Sequence, residues 1–449
     1  MTYRDLRGFL DALGGDLRRI AEPMSPRFEI AAALRQARAD APALLFESVV
    51  GHPGWRVAGN LIANRKRLAQ AFGSTPEALA EAYLERKQSG IDPVSTSDAP
   101  VKQVVATHGD DLLGALPILT HHERDGGPYI TTGVVLCRDP ASGRRGMGIH
   151  RMMVKGGRRL GLLLANPPLS LFHAAAEARG EPLEIAVSLG LEPAVVVASV
   201  VKVGPLVPDK MAVAGALRGA PVEMVDAETV ALQVPARAEI VIEGRVLPGV
   251  REAEGPFGEN TGAYFSNASP VIEVSAVTHR REPIYPGLTP WGNDVDMLLW
   301  LAAGTEMLGQ LRAQVAGVVD LELTGGTAGF AMVVAVRGTP RTEVRRLIHL
   351  ALALDKRLKM VTVVDDDVDI RDPRELAWAM ATRLRPARDT VVIDGTEVYV
   401  IDPAGGAPGE GSKIGFDATR GSADAAFDKA RLEPAALARV RAVLGDLMQ

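Results

Sequence analysis

The chain is poor in cysteine and in basic charge, and these two shortages exclude several classes of protein. Cys137 is the only cysteine among 449 residues, so neither an intramolecular disulfide nor a thiolate metal cluster can form. The net charge of −5 and the pI near 6.0 provide no basic excess with which to bind the phosphates of a nucleic acid. We therefore predict a protein of the reducing cytoplasm that acts on small molecules.

Long apolar runs are also lacking. The longest, "PAVVVASVV" at 193–201, is far shorter than the roughly 18 residues that mark a membrane-spanning helix. The first ten residues, "MTYRDLRGFL", carry acids and bases too early for a secretory signal peptide. The sequence thus predicts no membrane partner.

Several motifs of catalysis and cofactor binding are missing. His121 and His122 are adjacent, and no two histidines have the four-residue helical spacing of a zinc protease. The sequence contains no Gly-x-Ser-x-Gly, and no Gly-x-Gly-x-x-Gly after a strand. Two weaker candidates remain: the segment "GGAPGEGSK" at 405–413 and the acidic run "VVDDDVDIRD" at 363–372.

Both candidates have ordinary interpretations beside the functional ones. In "GGAPGEGSK" the serine precedes the lysine, the reverse of the order in a nucleoside triphosphate loop, although a glycine-rich loop ending in Lys413 can hold a single phosphate. The acidic run can bind a hard cation. Solvated loop acids and helix capping are the interpretation that we favour for it.

Apolar periodicity divides the chain into three regions. The first is a mixed region of helices, with Thr75 as one N-cap, and strands; the second is rich in strands, which suggests a barrel or sandwich; the third alternates strand and helix as βαβ units do. A helix begins near Asn293. Three further predictions are a strand at 194–204, a strand at 398–402 and a loop at 404–420, before a helical tail at 425–448.

Two carboxylates stand five residues apart in "EAEGPFGENTGAY" at 252–264. A five-residue step leaves side chains about 140° apart on a helix and on opposite faces of a strand. Only a bend at the Gly-Pro-Phe-Gly link between them could direct Glu254 and Glu259 at one point.

A candidate partner for these acids lies in "GIHRMMVKG" at 148–156. His150 and Arg151 are predicted to lie within a strand among apolar neighbours, and adjacent strand residues face opposite ways. A buried arginine needs a carboxylate because an unpaired buried charge is very costly. Glu254 or Glu259 can supply that carboxylate.

Taken together, these segments resemble the UbiD-like family of reversible decarboxylases that use prenylated FMN. The resemblance covers nearly the whole chain and rests on segments that follow the family's order: "DGGPYITTGVVLCRDPASGRRGMGIHRM", "RGAPVEMVDAETVALQVPARAEIVIEG", "EAEGPFGENTGAY", "VTHRREPIYPG", "VDDDVDIRDPRELAWAMATR" and "SKIGFDAT". It implies an α/β (α+β) fold in three parts. These are an N-terminal α/β lobe at 1–103, a central split β-barrel that binds the flavin at 104–310, and a C-terminal α/β domain at 311–449 whose terminal helix joins a homodimer or homohexamer.

The resemblance also implies a reaction and a catalytic trio, Arg151, Glu254 and Glu259. The enzyme would decarboxylate an aromatic, heteroaromatic or α,β-unsaturated carboxylic acid through a covalent adduct with prenylated FMN, which a prenyl-FMN synthase supplies. Glu259 in a dry pocket would hold a proton and deliver it to the decarboxylated carbon. Glu254 would pair with Arg151 and keep it oriented. The alternative is a flavin-binding or assembly protein of the same fold that has lost catalysis.

For the cofactor, the resemblance places Thr131 and the backbone of Ile149, His150 and Arg151 beside the flavin, and Lys413 at its phosphate. The family also uses manganese and potassium, with an asparagine, a histidine and a glutamate as ligands. Here Glu223 occupies the glutamate position.

The chain departs from the family at the other two ligand positions. Gly146 replaces the asparagine, and Asn166 or Pro167 replaces the histidine. A lone carboxylate is a poor site for a divalent ion. A second departure puts Asp294 and Val295, near Trp291, where relatives carry a Glu-His pair, and these residues are predicted to shape the substrate pocket.

Overall fold

The computed structural model describes residues 3–202, 209–405, 410–420, 429–430 and 432–444. They form two compact units. The first takes the described residues of Met1–Met307, Leu323–Ala331 and Tyr399–Pro408, and the second those of Leu308–Glu322, Met332–Val398 and Gly409–Gln449.

The described segments alternate helices and strands along the chain. The helices are α1 (Leu6–Leu13), α2 (Glu29–Gln36), α3 (Arg65–Ala71), α4 (Leu79–Arg86), α5 (Leu169–Glu177), α6 (Pro193–Val200), α7 (Lys210–Arg218), α8 (Asn293–Leu299), α9 (Thr305–Gln314), α10 (Arg341–Leu354), α11 (Pro373–Arg383), α12 (Pro386–Asp389) and α13 (Pro434–Leu444). Short 3-10 turns lie at Gly14–Asp16 and Pro100–Lys102, and a π-helical turn at Trp300–Gly304 joins α8 to α9. None of these helices is long and apolar enough to cross a membrane.

The strands are grouped into four sheets within the described residues. They are β1 (Leu17–Ile20), β2 (Ala43–Phe46), β3 (Arg56–Gly59), β4 (Val94–Ser95), β5 (Val104–Ala106), β6 (Tyr129–Ile130), β7 (Val134–Arg138), β8 (Arg145–Ile149), β9 (Met152–Gly156), β10 (Arg159–Leu162), β11 (Leu183–Leu189), β12 (Glu223–Asp226), β13 (Gln233–Pro235), β14 (Ile240–Gly258), β15 (Tyr264–His279), β16 (Ile284–Gly287), β17 (Val318–Leu323), β18 (Ala331–Val336), β19 (Met360–Asp365), β20 (Thr390–Glu397) and β21 (Glu410–Asp417).

The large sheet of the first unit has the order β6-β9-β10-β15-β14-β11-β7-β8, and β5 pairs with β15. Its pairs are antiparallel. The sheet is buried on both faces. In β7, Val134 and Leu136 pack into one apolar cluster, and Val135 and Cys137 into another. The strand-rich region predicted to be a barrel or sandwich forms this antiparallel sheet, which is curled into a half-barrel.

Two smaller sheets complete the first unit. One has the order β1-β2-β3-β16, with parallel pairs at its two edges and an antiparallel pair at its centre. The other has the order β13-β12-β4. The helices predicted in this part of the sequence are confirmed, but Thr75 is not an N-cap, because α4 begins only at Leu79. The Thr75 hydroxyl instead accepts the Ala78 N–H at 3.3 Å, in the turn before the helix.

The strand predicted at 194–204 is wrong. Residues 193–200 form helix α6, with Pro193 in its first turn, a position that suits proline because its nitrogen needs no hydrogen-bond partner there. The segment is buried on nearly every side, and a short run that is apolar all round has no periodicity to separate helix from strand. Residues 203 and 204 of that prediction lie outside the described residues.

The second unit contains the sheet β17-β18-β19-β21-β20. The predicted succession of strand, helix and strand is confirmed by β18, α10 and β19. The strand predicted at 398–402 is wrong, since β20 ends at Glu397. The loop predicted at 404–420 contains β21, which pairs in parallel with β19 and antiparallel with β20. Residues 406–409 of that loop, and 425–428, 431 and 445–448 of the predicted helical tail, lie outside the described part of the chain.

Candidate functional site

A β-bulge in strand β14 separates the two glutamates. The pairing of β14 with β15 keeps one register from Arg251↔Pro270 to Glu254↔Asn267, shifts, and resumes at Phe257↔Phe265. Gly255 in the bulge has φ 113°, and a Cβ there would lie 2.6 Å from the Phe265 carbonyl oxygen. The bend predicted at the Gly-Pro-Phe-Gly link is therefore present, as a bulge inside a strand. An extra residue in one strand interrupts the alternation of side chains between the two faces of the sheet.

Glu259 lies one residue beyond the end of β14, in a tight loop. Its N–H donates to the Ala263 carbonyl at 2.9 Å, and its own carbonyl accepts the Gly262 N–H at 3.0 Å. Glu254 is held by the strand pair, whereas Glu259 is held by a five-residue loop. The two carboxylates thus have different mechanical support.

Arg151 and His150 lie between strands, because β8 ends at Ile149 and β9 begins at Met152. The prediction that they lie within a strand is wrong at this point. Their side chains nevertheless separate as expected. His150 Nδ1 lies 2.9 Å from the Leu163 carbonyl oxygen, which assigns the proton to that nitrogen. Burial lowers the pKa of His150, although its bond to Leu163 acts in the opposite direction.

Arg151 binds both predicted carboxylates. Its Nε and Nη2 donate to the two oxygens of Glu254 at 3.1 and 3.0 Å, and its Nη1 donates to one oxygen of Glu259. The exposed fractions of the three side chains are 8% for Arg151, 0% for Glu254 and 16% for Glu259. The predicted pairing of Arg151 with Glu254 is therefore present, and Glu259 is added to it.

The ring of Phe257 supports this ion-pair group. Arg151 Cζ lies 4.7 Å from the ring centroid, within the range of a cation–π contact. Tyr129 packs on the same ring at 4.2 Å and His121 meets it edge-on at 6.3 Å, both between centroids. Sequence reasoning missed Tyr129 and Phe257, because an aromatic residue in a strand is most often ordinary core, and it considered His121, which lies outside the strands, only as a zinc ligand.

Asp125 connects this part of the sheet to the turn before β6. Its carboxylate accepts the N–H groups of His121 at 3.2 Å, His122 at 2.9 Å and Gly258 at 2.9 Å. Burial opposes ionisation, but the hydrogen bonds from His122 and Gly258 outweigh it and lower the pKa of Asp125. Asp125 thus positions both His121 and the residue that precedes Glu259.

Several buried polar atoms beside this group have no hydrogen-bond partner among the described residues. They are both ring nitrogens of His121, the hydroxyl of Tyr129, Oδ1 of Asn260 and Oγ1 of Thr261. Burial, and then the charge of Glu254, raise the pKa of the Tyr129 phenol. Buried polar atoms are normally paired, so an unpaired group indicates a water or ligand site.

A small cleft of about 40 Å³ lies beside Thr132 and is lined mainly by aliphatic side chains and proline. Thr132 donates to the Pro286 carbonyl at 3.2 Å, and the neighbouring Thr131 donates to the Leu288 carbonyl at 2.6 Å. Ile149, paired with Val134, ends the strand that leads to His150. Apolar walls with a few polar groups at the edge suit a planar heterocycle such as a flavin ring.

Asp294, predicted to shape the substrate pocket, lines this cleft. Its Oδ1 accepts the Ile62 N–H at 2.8 Å. Burial raises the pKa of Asp294 to about 6, against the opposing effects of that hydrogen bond and of Arg67. Trp291 lies nearby in the chain, and its indole N–H donates to the Gly326 carbonyl at 3.1 Å.

The residues at the predicted metal positions do not fit a divalent ion. A Cβ on Gly146 would meet Cys137 Sγ and the Phe172 ring at 2.9 Å, so this position faces the apolar core. Glu223 is bound by Arg4 at 2.6 Å and also by Arg237. Asn166 is exposed. No group of three or more His, Cys, Asp or Glu side chains suited to a metal occurs in the described segments.

Lys413 belongs to the second unit, in strand β21. Its ammonium donates to the carbonyls of Leu352 at 2.8 Å and Asp355 at 3.1 Å, and burial lowers its pKa. The acidic run lies in the same unit. Asp365 and Asp367 accept hydrogen bonds from Arg383 at 2.8–3.2 Å, so these two are ion-pair partners rather than solvated loop acids. The capping interpretation is confirmed at Asp372, which accepts the Arg374 N–H at 2.8 Å at the start of α11.

Comparison with protein families matches three models along the chain. They are the N-terminal domain of 3-octaprenyl-4-hydroxybenzoate carboxy-lyase at residues 12–87, its Rift-related domain at 92–293 and its C-terminal domain at 296–418. A curated relative, anhydromevalonate phosphate decarboxylase of Methanothermobacter thermautotrophicus, is 34% identical over 422 residues, which cover 92% of this chain and 96% of that protein.

Solved structures of similar proteins extend over both units. The UbiD-class enzyme HmfF from Pelotomaculum thermopropionicum in complex with FMN has a TM-score of 0.92, 37% identity, and coverage of 98% of this chain and 99% of its own. An evolved dimeric form of that enzyme in complex with prFMN has a TM-score of 0.88, 38% identity, and coverage of 96% and 98%. The fold is that of the UbiD-class carboxy-lyases. The chain belongs to the UbiD family, as its motifs indicated, and it is a decarboxylase.

Proposed function

We propose that this protein is a prenylated-FMN-dependent, reversible, non-oxidative decarboxylase of an aromatic, heteroaromatic or α,β-unsaturated carboxylic acid. The observation that carries the proposal is Arg151 held between Glu254 and Glu259. The similarity to enzymes solved with FMN and prFMN supports the choice of cofactor. When bound, prenylated FMN supplies the reversible covalent attachment that lets carbon dioxide leave an unsaturated acid.

The cofactor would be held by residues of the first unit. The aliphatic cleft beside Thr132 would border the ring, next to Thr131 and the backbone of Ile149 and His150. Lys413, which the resemblance placed at the phosphate, donates to the Leu352 and Asp355 carbonyls within the second unit and does not enter the proposal. No divalent ion enters the proposal, because the donor set at Gly146, Asn166 and Glu223 does not fit one.

The two glutamates have distinct proposed roles. Glu254 is fully buried and binds Arg151 through two bonds, so it is the fixed partner that keeps the guanidinium in place. Glu259 is partly exposed, sits on a loop and binds through one nitrogen. A substrate carboxylate that takes this nitrogen would release the Glu259 carboxylate, which would take up a proton from solvent at its partly exposed side and deliver it to the decarboxylated carbon.

Substitution of the proposed proton donor tests this function. The protein is co-produced with a prenyl-FMN synthase, and Glu259→Gln is compared with Glu252→Gln. Glu252 is a partly exposed glutamate of strand β14 that pairs with Arg159. We expect Glu259→Gln to abolish decarboxylation and the exchange of the product's vinylic or aryl hydrogen with solvent. Glu252→Gln should retain both. Normal turnover in Glu259→Gln would show that the proton donor is misassigned.

A second candidate is a flavin-binding or assembly protein of this fold without catalysis. The unsuitable residues at the family's metal positions favour it. The absorbance spectrum and intact mass of the co-produced protein separate the two candidates. Absence of bound flavin, or bound flavin without turnover of any unsaturated or aromatic acid in a broad panel, would support the second. Light scattering on the same sample tests the expected homodimer or homohexamer.

A further inference from the structure

His121 is a buried side chain on the Phe257 ring whose two nitrogens are not accounted for by hydrogen bonds of ordinary geometry. Neither ring nitrogen has a partner among the described residues, although the ring is 7% exposed. The backbone N–H of His121 is fixed by Asp125. The main chain is therefore anchored, whereas the imidazole has only a weak contact with the Leu288 backbone and no hydrogen bond of ordinary geometry.

The position of His121 relates it directly to the candidate site. Its ring meets the Phe257 ring edge-on at 6.3 Å and an angle of 82°. The guanidinium of Arg151 lies over the same Phe257 ring. In the sequence, Phe257 stands between Glu254 and Glu259. The Tyr129 hydroxyl, which lies beside Glu254, belongs to a ring that packs on Phe257. Two buried polar groups without a hydrogen bond of ordinary geometry thus flank the Phe257 ring.

The state of the ring limits what it can bind. Burial lowers the pKa of His121 to about 4, although Asp125 acts in the opposite direction. At neutral pH the ring is uncharged, with one N–H donor and one nitrogen acceptor. A neutral donor and acceptor among apolar neighbours match a hydroxyl or a ring heteroatom of a ligand. A charged group of the ligand would bind less well there, because a neutral ring does not offset the cost of burying a charge.

We propose that His121 is a specificity-determining residue that hydrogen-bonds an uncharged polar group, a hydroxyl or ring heteroatom, of the carboxylic acid substrate. This inference rests on the proposed decarboxylase function and narrows its substrate class. A site built to hydrogen-bond such a group discriminates against an isostere that lacks it, because the buried imidazole is then left unpaired.

The test measures discrimination rather than activity alone. Dissociation constants and kcat/KM are determined on the flavin-loaded protein for matched acids: 3- and 4-hydroxybenzoate against benzoate, and furan-2-carboxylate and pyrrole-2-carboxylate against cyclopent-1-enecarboxylate. We expect the wild type to prefer at least one polar member. We expect His121→Phe to reduce that preference by roughly 10-fold or more, and His121→Gln, which keeps a donor and an acceptor, to restore part of it.

His173→Phe is the matched control. His173 is a buried histidine of α5 whose Nε2 also has no partner among the described residues, but it lies outside the group around Phe257. It should leave the preference unchanged, and thermal midpoints and flavin absorbance of all variants separate folding and cofactor retention from recognition. An unchanged preference in His121→Phe, or an equal loss in His173→Phe, would overturn the inference.

Two further outcomes are distinct. Turnover without a preference for any polar member in the wild type would refute the role of His121 and leave the decarboxylase function standing. Loss of flavin absorbance in His121→Phe with the preference intact would also refute it, since the ring would then serve the cofactor. Absence of binding and turnover for every acid would instead contradict the proposed function.

Discussion

Arg151 and Glu254 form a two-bond, fully enclosed ion pair between residues that are 103 positions apart in the chain. The paired bonds use the planar fork of the guanidinium, which a point charge cannot reproduce. The third bond of the same guanidinium, to Glu259, reaches a carboxylate on a separate loop. One arginine therefore joins a rigid acid and a more loosely held one.

The first prediction concerns this fork. Arg151→Lys keeps the charge but cannot bind Glu254 through two bonds and Glu259 at the same time, so the carboxylates lose their geometry. We expect kcat/KM for decarboxylation to fall about 100-fold or more. Arg159→Lys, at a largely exposed ion pair with Glu252 in the same sheet, should change it less than about 3-fold. Similar losses in both variants would show that the fork is not required.

The second prediction separates the glutamates by stability. Glu254→Gln weakens a fully buried partner of Arg151 and should lower the free energy of unfolding by about 3 kcal/mol. Glu259→Gln removes one contact at a partly exposed side chain and should cost about 1 kcal/mol. Urea unfolding followed by tryptophan fluorescence measures both. The asymmetry of roles would be contradicted if Glu259→Gln were the more destabilising variant.

The third prediction concerns the bulge between the glutamates. Gly255 has φ 113°, and a Cβ there would approach the Phe265 backbone oxygen to 2.6 Å; Gly249 has φ 69° with open space around its Cβ position. Gly249→Ala should therefore cost only the conformational penalty of about 1 kcal/mol. Gly255→Ala should cost more than twice that and also lower turnover, because the strand must shift and carry Glu254 with it. Equal losses of stability, measured by thermal unfolding, would rule out the close contact.

The fourth prediction is a pH dependence of stability at Asp294. Burial raises its folded-state pKa from 3.8 to about 6, so the folded protein keeps a proton that the unfolded chain has released between these values. The stability from that proton is complete below the unfolded pKa and is lost as the pH rises through the folded pKa. Asp294→Asn cannot titrate. Relative to it, the wild type should lose about 1 kcal/mol of unfolding free energy between about pH 5 and about pH 7.5; parallel urea-unfolding results at the two pH values would refute this.

Much of the fold could be predicted where a local pattern is strong. The segments 3–14, 28–40 and 341–358 have apolar residues at three- and four-residue steps, which predicts helices. Helices α1, α2 and α10 lie within these segments. The pattern fails where it has no period. Residues 193–200 are apolar throughout and form α6, and β21 carries glycine and polar residues whose strand conformation comes from its neighbours β19 and β20.

The candidate site divides in the same way. Arg151, Glu254 and Glu259 were identified from residue chemistry and motif resemblance, and the structure brings them together. Tyr129 and Phe257 gave no local signal, because an aromatic residue in a strand is usually core, and His121, which lies outside the strands, was considered only as a zinc ligand. Their relation to Arg151 is visible only through the contacts of one ring.

The sequence by itself determined the family, the acids and the arginine, and the loss of the expected ligands at Gly146 and Asn166, since residue identity and order carry that information. Tertiary structure alone decided that the bend between Glu254 and Glu259 is a bulge within a strand pair, and that Glu254 is the more firmly held acid. The physical reason is that alternation and turn preferences act over a few neighbouring residues. Convergence on Arg151 depends on the pairing of β14 with β15, which no local pattern contains.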